Sequence, residues 1–149
     1  MNKILIAFGI ASILFLSGFG AKAQIRKIPA EVTDNFTAKF PGASAVEWKD
    51  KLTGFTATFK DGDTTYIASF DNKGNWTATE HDIDQASLPE AVQDGFEKSR
   101  FADWDVKNIA HIDTPDGDNY RIEVGKGDIK KRNLYFNANG RLLKDKLTL

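Results

Sequence analysis

The chain has 149 residues, 28 % of them charged, with 20 Lys+Arg against 21 Asp+Glu and no cysteine. That near-balance excludes the concentrated basic excess of a nucleic-acid binder, and the lack of cysteine excludes disulfides, thiol chemistry and thiolate metal sites together. Stability must come from apolar packing, for which the 11 Phe, three Trp and three Tyr supply bulk.

In chain order, Met1 to Ala23 reads as a cleavable signal peptide. Lys3 gives a positive start, Ile4 to Gly20 is almost unbroken apolar and small, and Ala21-Lys22-Ala23 offers small residues at both positions a signal peptidase reads. The 17-residue apolar run lies at the lower limit for a bilayer span, so a cut between Ala23 and Gln24 is expected rather than a retained anchor. Two lysines leave with the segment, and the remaining 126 residues carry 18 basic and 21 acidic side chains, net −3. The expected location is periplasmic or secreted, with no stable membrane insertion after cleavage.

Pro29 suits the first turn of a helix, where its missing N–H would be unpaired anyway. Ile28, Val32, Phe36 and Phe40 recur at four-residue steps and make one apolar stripe, which Pro41-Gly42 ends. The period then changes to two. Val46 with Trp48, Phe55 with Ala57 and Phe59, Tyr66 with Ala68 and Phe70, and Trp76 with Ala78 form inward sets. Glu47, Lys49, Thr56, Thr58, Thr65, Ser69, Thr77 and Thr79 alternate with them, the pattern of antiparallel strands wet on one face. Thr53-Gly54, Asp61-Gly62 and Lys73-Gly74 supply hairpin turns.

Leu88-Pro89 opens a second helix with Val92 and Phe96, fading near Ser99. Strands follow at Trp104/Val106, Tyr120/Ile122/Val124, Leu134/Phe136 and Leu142, with turns at Asp116-Gly117, Lys126-Gly127 and Asn139-Gly140. Ile109 is out of phase with Trp104 and Val106, which predicts a bulge or break between Asp103 and Asp113.

The two halves echo each other. IPAEVTDNF (Ile28 to Phe36) matches LPEAVQDGF (Leu88 to Phe96) at an offset of 60, and FTATFKDGD matches YRIEVGKGD at 65. FDNKGNW (Phe70 to Trp76) matches FNANGRL (Phe136 to Leu142) at 66. The expected fold is α+β: two tandem α-β-β-β-β repeats, 24–86 and 87–149, forming one compact unit with a continuous antiparallel sheet and helices packed on one face. Joining the sheets removes two exposed edges and thickens an otherwise thin core.

The tandem order Pro-x-x-Val-x-x-x-Phe, Val46-x-Trp48, then an aromatic strand ending in FDNKGNW resembles the PepSY-like family. These are exported proteins, found chiefly in Bacteroidetes, with a fold resembling beta-lactamase inhibitory protein. Pro29, Val32, Trp48, Phe59, Phe70, Asp71, Gly74 and Trp76 stand at the family's pattern positions, as do Pro89, Val92, Tyr120, Phe136 and Gly140. In the second half FADW replaces PGASAVEW, and Asn137 stands where Asp71 does. The resemblance implies the fold and a module without established catalytic residues. It carries over no inhibitory hot spot.

Residues that could do chemistry are few. His81 and His111 are the two histidines; His111-Ile112-Asp113 puts two side chains on one strand face, but with nothing else at ligand spacing both read as exposed strand residues. DTPDGDN (Asp113 to Asn119) lacks the alternating ligands and the glutamate at the twelfth place of a calcium loop, and reads as a turn. KKR (Lys130 to Arg132) reads as a solvated strand start. There is no G-x-S-x-G, no cysteine nucleophile and no phosphate-cradling glycine loop. The expectation is therefore no enzyme, no cofactor and no metal.

What is left is surface. A helix-free sheet face would present Ile67, Arg121, Glu123, Tyr135, Arg141 and Leu143 among threonines, and aromatic and arginine residues are the types that carry binding energy. The expected function is a non-catalytic, inhibitor-like, exported module that binds an unknown protein of the cell envelope through that face, as a monomer or weak dimer. The alternative is a periplasmic carrier or sensor of a small ligand, peptide or metal, with its pocket between the helices or at the seam of the two halves.

Overall fold

The computed structural model describes residues 26–127 and 130–148, so the signal-peptide reading concerns residues outside the described range. Helix α1 (Ala30–Lys39) precedes strands β1 (Ser44–Lys51), β2 (Gly54–Asp61), β3 (Thr64–Asp71) and β4 (Trp76–Asp82). A short 3-10 turn at Gln85–Ser87 leads to α2 (Glu90–Glu97), then β5 (Asp105–Thr114), β6 (Gly117–Lys126), β7 (Lys130–Asn137) and β8 (Leu142–Thr148). All eight strands form one antiparallel sheet in the order of the chain, each pairing with the next. The class is α+β, with the expected continuous sheet.

Both helices cover the same face, and the register proves it. Phe59 stands opposite Tyr66 and Tyr66 lies against His81; His81 stands opposite His111, His111 opposite Tyr120 and Tyr120 opposite Phe136. Residues directly opposite in antiparallel strands share a face. Phe59 belongs to the core cluster that takes Val32 and Phe36 from α1, while Tyr120 and Phe136 belong to the cluster that takes Val92 from α2. Phe36 is the hub of the first cluster: its ring centre lies 5.1–5.4 Å from those of Phe40, Trp48 and Phe59.

The hairpin turns dock the helices. Asp71 Oδ1 accepts hydrogen bonds from the backbone N–H groups of Lys73 (2.8 Å) and Asn75 (2.9 Å). Asn137 Oδ1 accepts the corresponding bonds from Asn139 (3.1 Å) and Arg141 (3.0 Å). Each turn then presents a left-handed glycine to the helix above it, Gly74 (φ 87°) beneath the Glu31 carbonyl and Gly140 (φ 77°) beneath that of Ala91. A Cβ on Gly140 would stand 1.9 Å from the Ala91 oxygen. In the first half Asn35 Nδ2 adds a bond to the Gly74 carbonyl at 2.9 Å.

Among the described residues the sheet has four register shifts, and two of them bear on the facing expected from the sequence. The shift between Val106 and Asn108 is the bulge that the phase of β5 predicts. The other, in β4, corrects the sequence reading. Phe70 stands opposite Trp76 but Ser69 opposite Ala78, so Thr77 is an extra residue in that strand. Trp76 and Ala78 therefore do not share a face. Ala78 turns to the helix-free side, and Thr79 enters the core, where its hydroxyl accepts the Trp76 Nε1–H at 2.8 Å.

Candidate functional site

The helix-free face is built from the residues that alternate with the core. Thr58, Ile67, Glu80 and Ile112 form one row across β2 to β5, and Ala110, Arg121, Tyr135 and Lys144 another across β5 to β8. Ile67 is 42 % exposed. Tyr135 is half-buried, with the Lys144 ammonium 4.5 Å from its ring centre. Arg121 is not a free anchor. Its Nε and one terminal nitrogen both donate to Glu80 Oε1, at 3.1 and 2.5 Å, and the other reaches Asn133 Oδ1 at 3.4 Å. The pair spans β4 to β6, over the fully buried Ala110 on β5, and so ties the two halves of the sheet. Ala110 is alanine in a row of large residues, which leaves room for that crossing.

The remaining sequence-predicted face residues divide. Glu123 lies half-buried on β6, opposite Asn133. Leu143 is 50 % exposed but sits at the register shift of β8, between Leu142 opposite Phe136 and Lys144 opposite Tyr135. Arg141 lies in the β7–β8 turn, its backbone tied to Asn137, and not on a strand. The structure thus brings Ile67, Arg121 and Tyr135 to one continuous face and puts Arg141 at its margin. In the KKR run Lys130 and Lys131 are exposed, whereas Arg132 pairs with Asp145. Thr114 Oγ1 donates to the Gly117 carbonyl at 2.7 Å within DTPDGDN, which is the tip of the β5–β6 hairpin.

The opposite face holds something the sequence reading missed. The two clusters meet at the seam between β4 and β5, where the row runs Tyr66, His81, His111, Tyr120. Successive ring centres lie 5.0, 5.3 and 5.2 Å apart. Neither histidine is an exposed strand residue; both are half-buried on the helix side. A cavity of about 300 Å³ opens above them, bounded by Lys39 at the end of α1, by Phe40 just after it, and by Asp61 and Asp113. Burial, and then the neighbouring His111, holds the His81 imidazole below its ordinary value of 6.5. Asp118 Oδ1 lies 2.8 Å from His111 Nε2. Burial, followed by the Asp118 charge, raises the Tyr120 phenol above 10.0. The only sequence signal was the H-x-D spacing, which aims His111 and Asp113 at one face.

Comparison with known proteins finds the same overall fold in other chains. Residues 53–144 match the model of a family described as "Putative beta-lactamase-inhibitor-like, PepSY-like". A BLIP-like protein of Bacteroides fragilis is 26 % identical, with 82 % of this chain and 87 % of that one aligned at a TM-score of 0.69. A DUF2874 family protein of Bacteroides ovatus, also 26 % identical, aligns over 82 % and 89 % at 0.73. A structure from Bacteroides eggerthii described as "putative periplasmic proteins" is 22 % identical over 82 % and 90 %, at 0.72. No curated protein matches.

Proposed function

The chain belongs to the beta-lactamase-inhibitor-like, PepSY-like family, and from that membership we propose that it is an exported, non-catalytic module that binds another protein through its helix-free sheet face. One observation carries this reading. The helices complete both hydrophobic clusters from the opposite side, yet Ile67, Tyr135 and Leu143 remain on or beside the free face, around an ordered Glu80–Arg121 pair. A broad, ordered sheet surface with apolar and aromatic groups suits a protein partner better than a small ligand, which prefers a concave pocket. Export is supported by the signal-like composition of residues 1–23 and by the description of the B. eggerthii protein.

The partner is a protein of the cell envelope, with inhibition as the mode of action the family description suggests. The chain acts as a monomer or weak dimer. Its two edge strands support this: β1 carries a register shift with Ala45 at φ 50° and exposed Lys49 and Lys51, and β8 carries Lys144, Lys146 and a shift of its own. Bulges and lysines on edges oppose strand addition by a second copy. The halves are two copies of one α-β4 unit, a reading supported by the matching turn bonds and glycine contacts at Gly74 and Gly140.

The test is affinity capture from an envelope extract with the mature protein, alongside Tyr135→Ala and Ile67→Glu variants. The same partner should be captured by wild type and lost from both variants. Retention of every captured protein by both variants would remove the free face from the proposal. Intact mass of the protein purified from the envelope fraction should correspond to a start at Gln24.

A further inference from the structure

We propose that His81 and His111 form a binding site for a borderline divalent transition cation, Cu²⁺, Ni²⁺ or Zn²⁺, at the seam of the sheet. The site stands apart from the helix-free face and needs no protein partner. The histidines lie directly opposite each other on β4 and β5, with ring centres 5.3 Å apart and planes at 75°. Two imidazoles that each place a nitrogen about 2 Å from one ion, at a near-tetrahedral angle, have centres about 5 Å apart. The observed pair is already close to that separation, so little backbone movement is required.

The surroundings fit a cation. Asp118 Oδ1 holds His111 through Nε2 at 2.8 Å, which orients the ring and leaves Nδ1 as the nitrogen free to bind. A carboxylate on the far nitrogen is the usual partner of a metal-bound histidine, because it fixes the tautomer and raises the basicity of the ligand. Asp61 and Asp113 border the cavity of about 300 Å³ beside the two rings, and the one cationic group there is Lys39. The Lys39 ammonium sits 3.6 Å from the centre of the Trp76 ring.

Among the described residues no group of three or more His, Cys, Asp and Glu is close enough to enclose an ion. The protein therefore supplies two nitrogens, and water or an added donor fills the remaining positions. An open site with two imidazoles selects for Cu²⁺ ahead of Ni²⁺ and Zn²⁺, and against Mg²⁺ and Ca²⁺, which prefer oxygen.

The experiment is thermal unfolding of the mature protein at pH 7.5 with Cu²⁺, Ni²⁺, Zn²⁺ or Mg²⁺ alone, for wild type, His81→Gln and His111→Gln. The three transition cations should raise the wild-type midpoint and Mg²⁺ should not. Either substitution should abolish the rise, and Asp118→Asn should weaken binding about tenfold. No rise in wild type, or a rise kept by either His→Gln variant, overturns the proposal. Electron paramagnetic resonance of the Cu²⁺-loaded wild type gives an answer even where a variant does not fold: it should show two imidazole nitrogens on the copper, and one or none refutes the site. Partner capture by the free face should be unchanged in both histidine variants, so this site and the protein-binding reading stand or fall separately.

Discussion

Asp71 and Asn137 make the same backbone turn with different charge, which separates what the carboxyl group contributes from what the shape requires. Hydrogen bonds from Asn75, first from its side chain and then from its backbone, hold the Asp71 carboxyl below its ordinary 3.8. A lowered folded value means that its share of stability is present above the unfolded value and is lost as pH falls through the folded one. Asp71→Asn should therefore keep the turn at neutral pH and flatten the loss of stability below about pH 4, read from urea midpoints across an acid series. Gly140 makes a second residue-scale test. Alanine there must adopt a left-handed backbone and also meet the Ala91 carbonyl, so Gly140→Ala should cost about 3 kcal/mol. At Gly62, also left-handed but with nothing within 4 Å, the same change should cost about 1 kcal/mol. Equal losses at the two positions in urea unfolding would argue against helix docking by the turn. The sequence makes the need for a turn legible at both glycines. It does not show the helix carbonyl above Gly140, because that contact joins segments distant in the chain.

Helix α1 is short, without a side-chain cap, and depends on its apolar face for its place on the sheet. Phe36 carries much of that face, packed against Phe40, Trp48, Phe59 and Phe70. Truncating it to alanine should destabilise the protein by about 3–5 kcal/mol, whereas Val46→Ala, at a position 37 % exposed, should change the midpoint of thermal unfolding little. The stripe Val32-Phe36-Phe40 is written plainly in the sequence, and so are most strands, since alternation and burial coincide through β2 and β3. Alternation fails in β4. An extra residue there reverses every side chain beyond it, and nothing in Trp76-Thr77-Ala78-Thr79 distinguishes a bulged strand from a regular one. Phe101 was missed for another reason: it plugs the second cluster from an irregular segment, where periodicity has no meaning.

At the scale of the whole molecule, the four-stranded halves meet along β4 and β5 over only four residue pairs, Thr79 to Asp82 against Ala110 to Asp113. A continuous sheet was legible from the two incomplete halves, but the meeting of two histidines on it was not, since α2 and its flanking loops separate them in the chain. The seam should be the acid-sensitive part of the fold. His81 is held below 6.5, chiefly by burial and then by His111, so the unfolded chain takes up more protons than the folded one as pH falls. Stability should be full above about pH 6.5 and decline as pH falls through the lower folded value, and His81→Gln should reduce that decline. Thermal midpoints between pH 7.5 and 5 that fall equally in both proteins would count against the seam as its source. The order of the strands has a further consequence. Each strand after β1 pairs with the strand made before it, and only at the β4–β5 seam do α2 and its loops come between, so no strand waits for a later piece of chain to begin pairing. A polypeptide released amino end first, from a ribosome or a narrow pore, can lay down this sheet in the order of its emergence, leaving one growing edge open to misassociation at any moment.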